Sequence, residues 1–348
     1  MPVLQNPITI DSIDNQVVFD KKIWDLSLPI KIISHSQILQ SPLVNIVGST
    51  PLDSGGVYQD TIYTRRLTGE PEELVSRTKL TPEGISQFMD SCIAIFRGKS
   101  WMREEIAKNI IGADLLAEIE KATTQYWADK YQKYILMMLS GIFEGTLKNT
   151  HQLIVPNHSM NWQVVAAAKA MLGDAHKDLG VIIMHSKQLA TLVSSGLVKY
   201  YNASELGYKI WTGGQIPTIN GLQIIETDTV PITQNNGVTL YHSYIGAQGV
   251  IDFKVIEFNN KPYWGDEAGG TDYFMQTCKL MLRVPGVRFL RDQASDRFNF
   301  KNVDLANPAC WQKIVEDDKE IPFIELITKA DSLLDELTPP PSPPPSNG

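Results

Sequence analysis

The feature that most restricts how this chain folds is a thirty-residue stretch before its midpoint. From Asp114 to about Phe143 the positions Leu115, Ile119, Ala122, Tyr126, Tyr131, Ile135, Met138 and Ile142 recur every three to five residues, the spacing of one helix face. Asp114, two residues after Gly112, is the expected N-cap, and Gly145 the expected stop. At 1.5 Å per residue such a helix is about 45 Å long, whereas a compact sphere of 348 residues is only about 50 Å across. A helix that nearly crosses the molecule predicts a flat or elongated body.

Around it, short apolar runs alternate with turn signals. Residues 1 to about 50 mix Ile8–Ile10, Val17–Phe19 and Ile30–Ile33 with polar residues and keep no period, which predicts an arm or loosely packed lead-in. Next, two strand-like flanks, Val57–Tyr63 and Ile85–Phe96, bracket RRLTGEPEELVSRTKLTPEG, a charged stretch with little that is large and apolar. Such a piece cannot bury itself. It reads as a long hairpin projecting from the body with its turn near Gly69–Pro71, a surface loop being the alternative.

Beyond the long helix, Asn161–Leu172 reads as an Ala-rich helix stopped by Gly173, and Leu179–Met184 as an apolar strand. Lys187–Ser195 reads as a short helix capped by Ser186 and closed by Gly196. Asn220-Gly221 between apolar runs marks a hairpin. Val238–Ile245 and Val250–Phe258 read as strands, and Tyr273–Leu282 alternates. Helices and strands interleave without a βαβ repeat, so the fold class is mixed α+β. The Pro-rich tail, residues 339–348, is a stiff polyproline rod or a ligand for an aromatic groove.

Charge and chemistry exclude more than they suggest. A formal net charge of −8 repels a polyanion and argues against a protein that grips phosphate backbones. Residues 301–348 carry much of that excess, with four Lys against nine Asp and Glu. Cys92, Cys278 and Cys310 are odd in number and widely spaced, which fits buried thiols in a reducing compartment rather than a disulfide framework. The first thirty residues show no secretory signal and no window is apolar enough to span a membrane, so synthesis in a cytoplasm is expected. No two of the six histidines have metal-ligand spacing, and neither Gly213-Gly214 nor Gly269-Gly270 belongs to a phosphate-cradling motif. No catalytic, metal or cofactor-binding residue is assigned, and no enzyme is expected.

In order, these segments resemble the tailed-phage major capsid proteins of the Hong Kong 97 type, over about Leu80 to Ala330. LTPEGISQFMDSCIAIFRGKSWMREEIAKNIIGADLL resembles the family's passage from projecting loop to long helix, with Arg97, Gly98, Lys99 and Trp101 at the turn. QYWADKYQKYILMMLSGIF, with Trp127 and Leu139-Ser140-Gly141, resembles that helix's middle and end. AAKAMLGDAHKDLGVIIMHSKQLATL, INGLQIIETDTVP with YHSYIGAQGVI, and LMLRVPGVRF with NPACWQKIVEDDKEIPFIELI resemble later blocks in the family's order.

The resemblance implies an N-terminal arm (1–50), an extended loop or E-loop (51–97) and a peripheral domain (98–160 and 270–338) with a spine helix over about 114–144. It also implies an axial domain (161–269). It implies a coat protein whose copies form pentamers and hexamers of an icosahedral shell, located in the virion and assembled in the host cytoplasm. The shell would enclose double-stranded DNA without binding it specifically. An unburied hairpin then has a use, because a neighbouring copy covers it. Arg65, Arg66, Glu70, Glu72, Glu73, Arg77 and Lys79 are the expected contacts between subunits, each exposed pair contributing about 0–1 kcal/mol, enough for register more than strength. The N-terminus lacks a long helical extension, so a separate scaffolding protein is expected, with a decoration protein as a further partner. Gln276 and Thr277 stand where relatives tend to be basic, so no salt bridge is carried over there. A shell of the encapsulin kind, enclosing protein cargo, is the alternative.

Overall fold

The computed structural model describes residues 28–64, 87–104, 115–202, 215–235, 237–264 and 271–330, with isolated positions between 70 and 84. The architecture is mixed α+β, two sheets sharing one long helix. The chain enters through helical residues 28–35 (α1) and α2 (Gln37–Gln40), then β1 (Val44–Ile46), β2 (Tyr58–Thr64) and β3 (Gln87–Glu104). The spine helix α3 (Leu115–Glu144) follows, then β4 (Gln152–Ser159), α4 (Trp162–Ala170), β5 (Leu179–Met184) and α5 (Ser186–Ser194). β6 (Lys199–Asn202), β7 (Gln215–Ile219), β8 (Leu222–Glu226), β9 (Ile232–Asn235) and β10 (Val238–Ala247) come next. The long hairpin of β11 (Ile251–Trp264) and β12 (Thr271–Arg283) precedes β13 (Val287–Phe289), β14 (Trp311–Lys313) and β15 (Phe323–Lys329).

The first sheet has the order β1-β11-β12-β3-β2, and the second β4-β15-β10-β5-β8-β7-β6 with β9 alongside β10. The spine helix lies against both. Its described solvent side follows a line through Lys121, Gln125, Asp129 and Lys133, one residue per turn, with Ala122 and Glu144 also exposed. Ala122, expected on the apolar face, is exposed, and Thr123 and Thr124 are buried instead. Trp127, Tyr131, Ile135, Leu139, Ile142 and Phe143 then enter one core with Ile93, Ile95, Leu280 and Phe253 of the first sheet and Ile183, Tyr244 and Phe323 of the second. Because the helix is wedged between sheets, its C-terminal half is buried nearly all round. Gly145 ends it as expected, while Asp114 lies outside the described residues.

Several local signals act as read. Asn161 caps α4, accepting from the Val164 N–H at 2.9 Å. Asn220 (φ 49°) and Gly221 (φ 79°) make the left-handed pair of a tight turn joining β7 to β8. Three expectations change. The cap of α5 is His185, whose Nδ1 accepts from the Lys187 N–H at 3.1 Å, while Ser186 is the first helical residue. Arg97, Gly98, Lys99 and Trp101 are not at a turn: β3 continues through them to Glu104, paired with β12, because β12 is long enough to carry the ladder on. Finally, the described part of the lead-in is no loose arm. Leu28, Ile32, Ile38, Leu39 and Leu43 are fully or almost fully buried in the main core, and β1 pairs with β11 in parallel.

Candidate intersubunit surface

The expected projecting hairpin begins as a regular antiparallel ladder, Tyr58 opposite Ile93 through Thr64 opposite Gln87. Its root is part of the body. Ile93 and Ile95 enter the main core, and Cys92 and Ala94 join Leu52 and Met281 in a smaller cluster on the other face. Toward the tip burial stops. Ile62 and Met89, directly opposite each other, are 69 % and 63 % exposed. An apolar cross-strand pair normally stabilises a sheet by covering itself, so leaving both outward makes sense where another surface covers them.

Of the charged residues singled out in the sequence, Glu70, Glu72 and Glu73 are exposed. Arg65, Arg66, Arg77 and Lys79 lie outside the described residues. Two attachments that the sequence did not disclose hold β2 to the body. Arg288 donates to Asp60 Oδ1 at 3.0 Å and, through Nε, to the Tyr58 hydroxyl at 3.4 Å. The Tyr63 hydroxyl donates to Glu320 Oε2 at 3.1 Å. A third, Arg97, turns from β3 toward residues 299–302. It donates to the Phe300 carbonyl at 2.8 Å and from Nε and Nη2 to Asn302 Oδ1, and it lies over the Tyr134 ring at 5.4 Å. The hydrogen-bond partners are separated by some 200 residues or more along the chain, so no local pattern announces them.

The interior offers little chemistry. Burial pushes the Cys278 thiol up to about 12 and Cys310 up to about 11, and raises Cys92, so all three stay protonated and unreactive. The arrangement most like a catalytic dyad is His242 Nδ1 against Glu325 Oε1 at 2.7 Å. Both residues are buried, Gln152 occupies the other carboxylate oxygen at 2.6 Å, and Thr233 faces His242 Nε2 at 3.2 Å, so the pair is enclosed as part of sheet packing. Among the described residues no group of three or more His, Cys, Asp or Glu is placed to hold a metal ion. No described helix is long and apolar enough to cross a membrane.

Comparison with solved structures places this architecture. The chain matches the capsid of Ralstonia phage GP4 with a TM-score of 0.62 at 13 % identity, covering 88 % of this chain and 92 % of that one. It matches the head structure of Helicobacter pylori bacteriophage KHP40 with a TM-score of 0.54 at 11 % identity, covering 83 % and 86 %. The chain has the fold of a tailed-phage capsid protein. Its sequence is 25 % identical over 280 residues to the major capsid protein of Bacillus phage SPP1, which covers 78 % of this chain and 83 % of that relative. No family model matches the chain. On a capsid fold, the exposed Ile62–Met89 pair and the acidic run at 70–73 lie on the segment expected to meet another copy.

Proposed function

We propose that this chain is the major capsid protein of a tailed phage, a structural protein and not an enzyme, whose copies build the icosahedral head around the genome. The observation that carries this reading is the similarity to the SPP1 major capsid protein across 280 residues, on a backbone that matches a phage capsid over 88 % of the chain. The relatives described above are phage proteins, which favours a genome container over a shell for protein cargo.

Within that reading, residues 51–97 form the E-loop that reaches over a neighbouring copy. Arg65, Arg66, Glu70, Glu72, Glu73, Arg77 and Lys79 pair across the contact, and the exposed Ile62 and Met89 support it. Residues 98–160 with 270–338 form the peripheral domain, 161–269 the axial domain gathered around five- and six-fold axes, and 1–50 the N-terminal segment, whose described part is seated in the main core. The contacts are heterologous, so closure of the shell depends on their angle. The surplus of acidic residues keeps the wall from adhering to the DNA it encloses. A separate scaffolding protein guides assembly, and a decoration protein is a further partner for the outer surface.

Purified protein, alone and with lysate of the infected host as a source of scaffold, is examined by light scattering and negative-stain microscopy. Closed shells or pentameric and hexameric rings are expected. A strictly monomeric species under every condition overturns the reading.

A further inference from the structure

A line of polar side chains crosses the first sheet at the root of the hairpin. It starts on the far edge, where Asn45 of β1 donates to Asp252 Oδ1 of β11 at 2.8 Å. The other oxygen of Asp252 lies 3.5 Å from Arg283 Nη1 on β12. The same guanidinium donates from Nε at 3.0 Å and from Nη2 at 2.8 Å to Asp90 Oδ2 on β3. Asp90 stands directly opposite Thr61 on β2, and Asn45–Asp252 and Asp252–Arg283 are likewise direct cross-strand partners. Five strands in spatial order are thus linked, the Arg283–Asp90 contact stepping diagonally from one strand to the next and the last step being the backbone pairing of Asp90 with Thr61.

The Asp90 side chain is wholly buried, and its second oxygen takes the Ser91 N–H at 2.7 Å. A carboxylate buried with a guanidinium adds little net stability over an apolar pair, but losing either partner strands a charge, so such a pair selects one geometry more than it strengthens it. Geometry is what this position needs. β2 is the edge strand, and a hairpin leaving an edge follows whatever twist the strands beneath it adopt. Arg283 touches side chains of the strands on both sides of its own, so it sets that twist where β3 enters the hairpin.

We propose that Arg283 is the positioning residue that fixes the direction in which the β2–β3 hairpin leaves the body. On the coat-protein reading, which this extends, it thereby fixes where the hairpin meets the next copy. The exposed Ile62–Met89 pair, one position tipward of Asp90, would swing with any change in that direction.

The test is amide hydrogen exchange on the full-length unassembled chain, wild type against Arg283→Met, with particle shape read in parallel by negative stain. Exchange across residues 58–64 is expected to rise about tenfold or more while α3 is unchanged. Any particles formed are expected to be open sheets or misclosed shells. Arg283→Lys, which keeps the charge and loses the fork, is expected to misclose shells at unchanged thermal stability. Unchanged exchange in 58–64 overturns the proposal, as does a normal particle from Arg283→Met. If Arg283→Met fails to fold, Asn45→Ala on the exposed far edge decides: a rise of about twofold in 58–64, four strands away, supports it, and no change overturns it. If the wild type forms no particle under any condition, the coat-protein reading falls, and the exchange data still judge Arg283.

Discussion

The two halves of the spine helix are held by different means. The C-terminal half is seated by close approach. A Cβ on Gly141 would overlap the Leu305 carbonyl oxygen and come within 2.9 Å of Trp311 Nε1, and one on Gly145 would lie 2.7 Å from the Pro308 carbonyl oxygen. Phe143 packs on Tyr244 and Phe323 of the second sheet, with ring centroids 5.6 and 5.2 Å away. The N-terminal half rests on the β11–β12 hairpin through aromatic edges and the hydrogen bond from Trp127 Nε1 to Gln276 Oε1 at 2.7 Å. Beneath it the Gln276 Nε2 and both amide atoms of Asn260, which stands directly opposite Gln276, are buried without partners. One end of the helix has a single seat. The other covers buried amide groups that find no hydrogen-bond partner, so the N-terminal half is the end expected to yield.

That contrast is open to measurement. The largest effect is expected from Gly141→Val, where backbone on the facing side leaves the new side chain nowhere to go. A loss of about 3 kcal/mol or more, or no soluble protein, should be seen in urea unfolding. A tolerated Val would mean the C-terminal seat is looser than its geometry. Trp127→Phe removes the donor that satisfies Gln276 Oε1 and is expected to cost about 1–3 kcal/mol. A cost below that range would show the N-terminal half yielding already.

Just past the anchored end, His151 is buried, with Nε2 facing the Asp318 carbonyl at 3.0 Å and Nδ1 the Thr150 hydroxyl at 2.7 Å. Burial holds its pKa below the ordinary histidine value, with Asp318 opposing. The unfolded chain therefore takes up this proton first, and the His151 contribution, present above about pH 6.5, is lost as pH falls through that value toward the lower folded pKa. His151→Gln should flatten the pH dependence of the unfolding free energy between pH 7 and 5. An identical slope in the variant would remove His151 from the account. The smallest change, and the only one of favourable sign, is expected from Asn260→Leu. Replacing an unpaired buried amide with an apolar group of similar volume should leave the melting temperature unchanged or raise it by a few degrees, about 1 kcal/mol or less. A clear loss would mean that Asn260 has a partner in solution.

Several features set by short-range rules are legible in the sequence, although the cap of α5 falls one residue before the expected Ser186. The helix period placed α3 to within a residue or so of its ends, Asn161 announced a cap, and Asn220-Gly221 announced a turn. The paired root of the hairpin is legible in its two strand-like flanks, Val57–Tyr63 and Ile85–Phe96. Other features carried no such signal. Arg97–Glu104 lacks alternation because its pairing with β12 supplies the strand order that its side chains do not. Residues 28–46 lack a period because their apolar side chains fill separate gaps in a core built by other elements. Leu43, for example, covers the place where a Cβ on Gly246 would lie.

The sequence alone therefore determined the long helix and the mixed α+β class. These follow from periodicity and composition, which act over a few residues. Only the tertiary structure decided that the lead-in belongs to the core, that β3 runs on through its charged end, and that Arg283 joins Asp90 to Asp252. Those outcomes depend on which distant strand lies alongside, and a side chain carries no mark of a partner that the chain brings to it some 190 residues later.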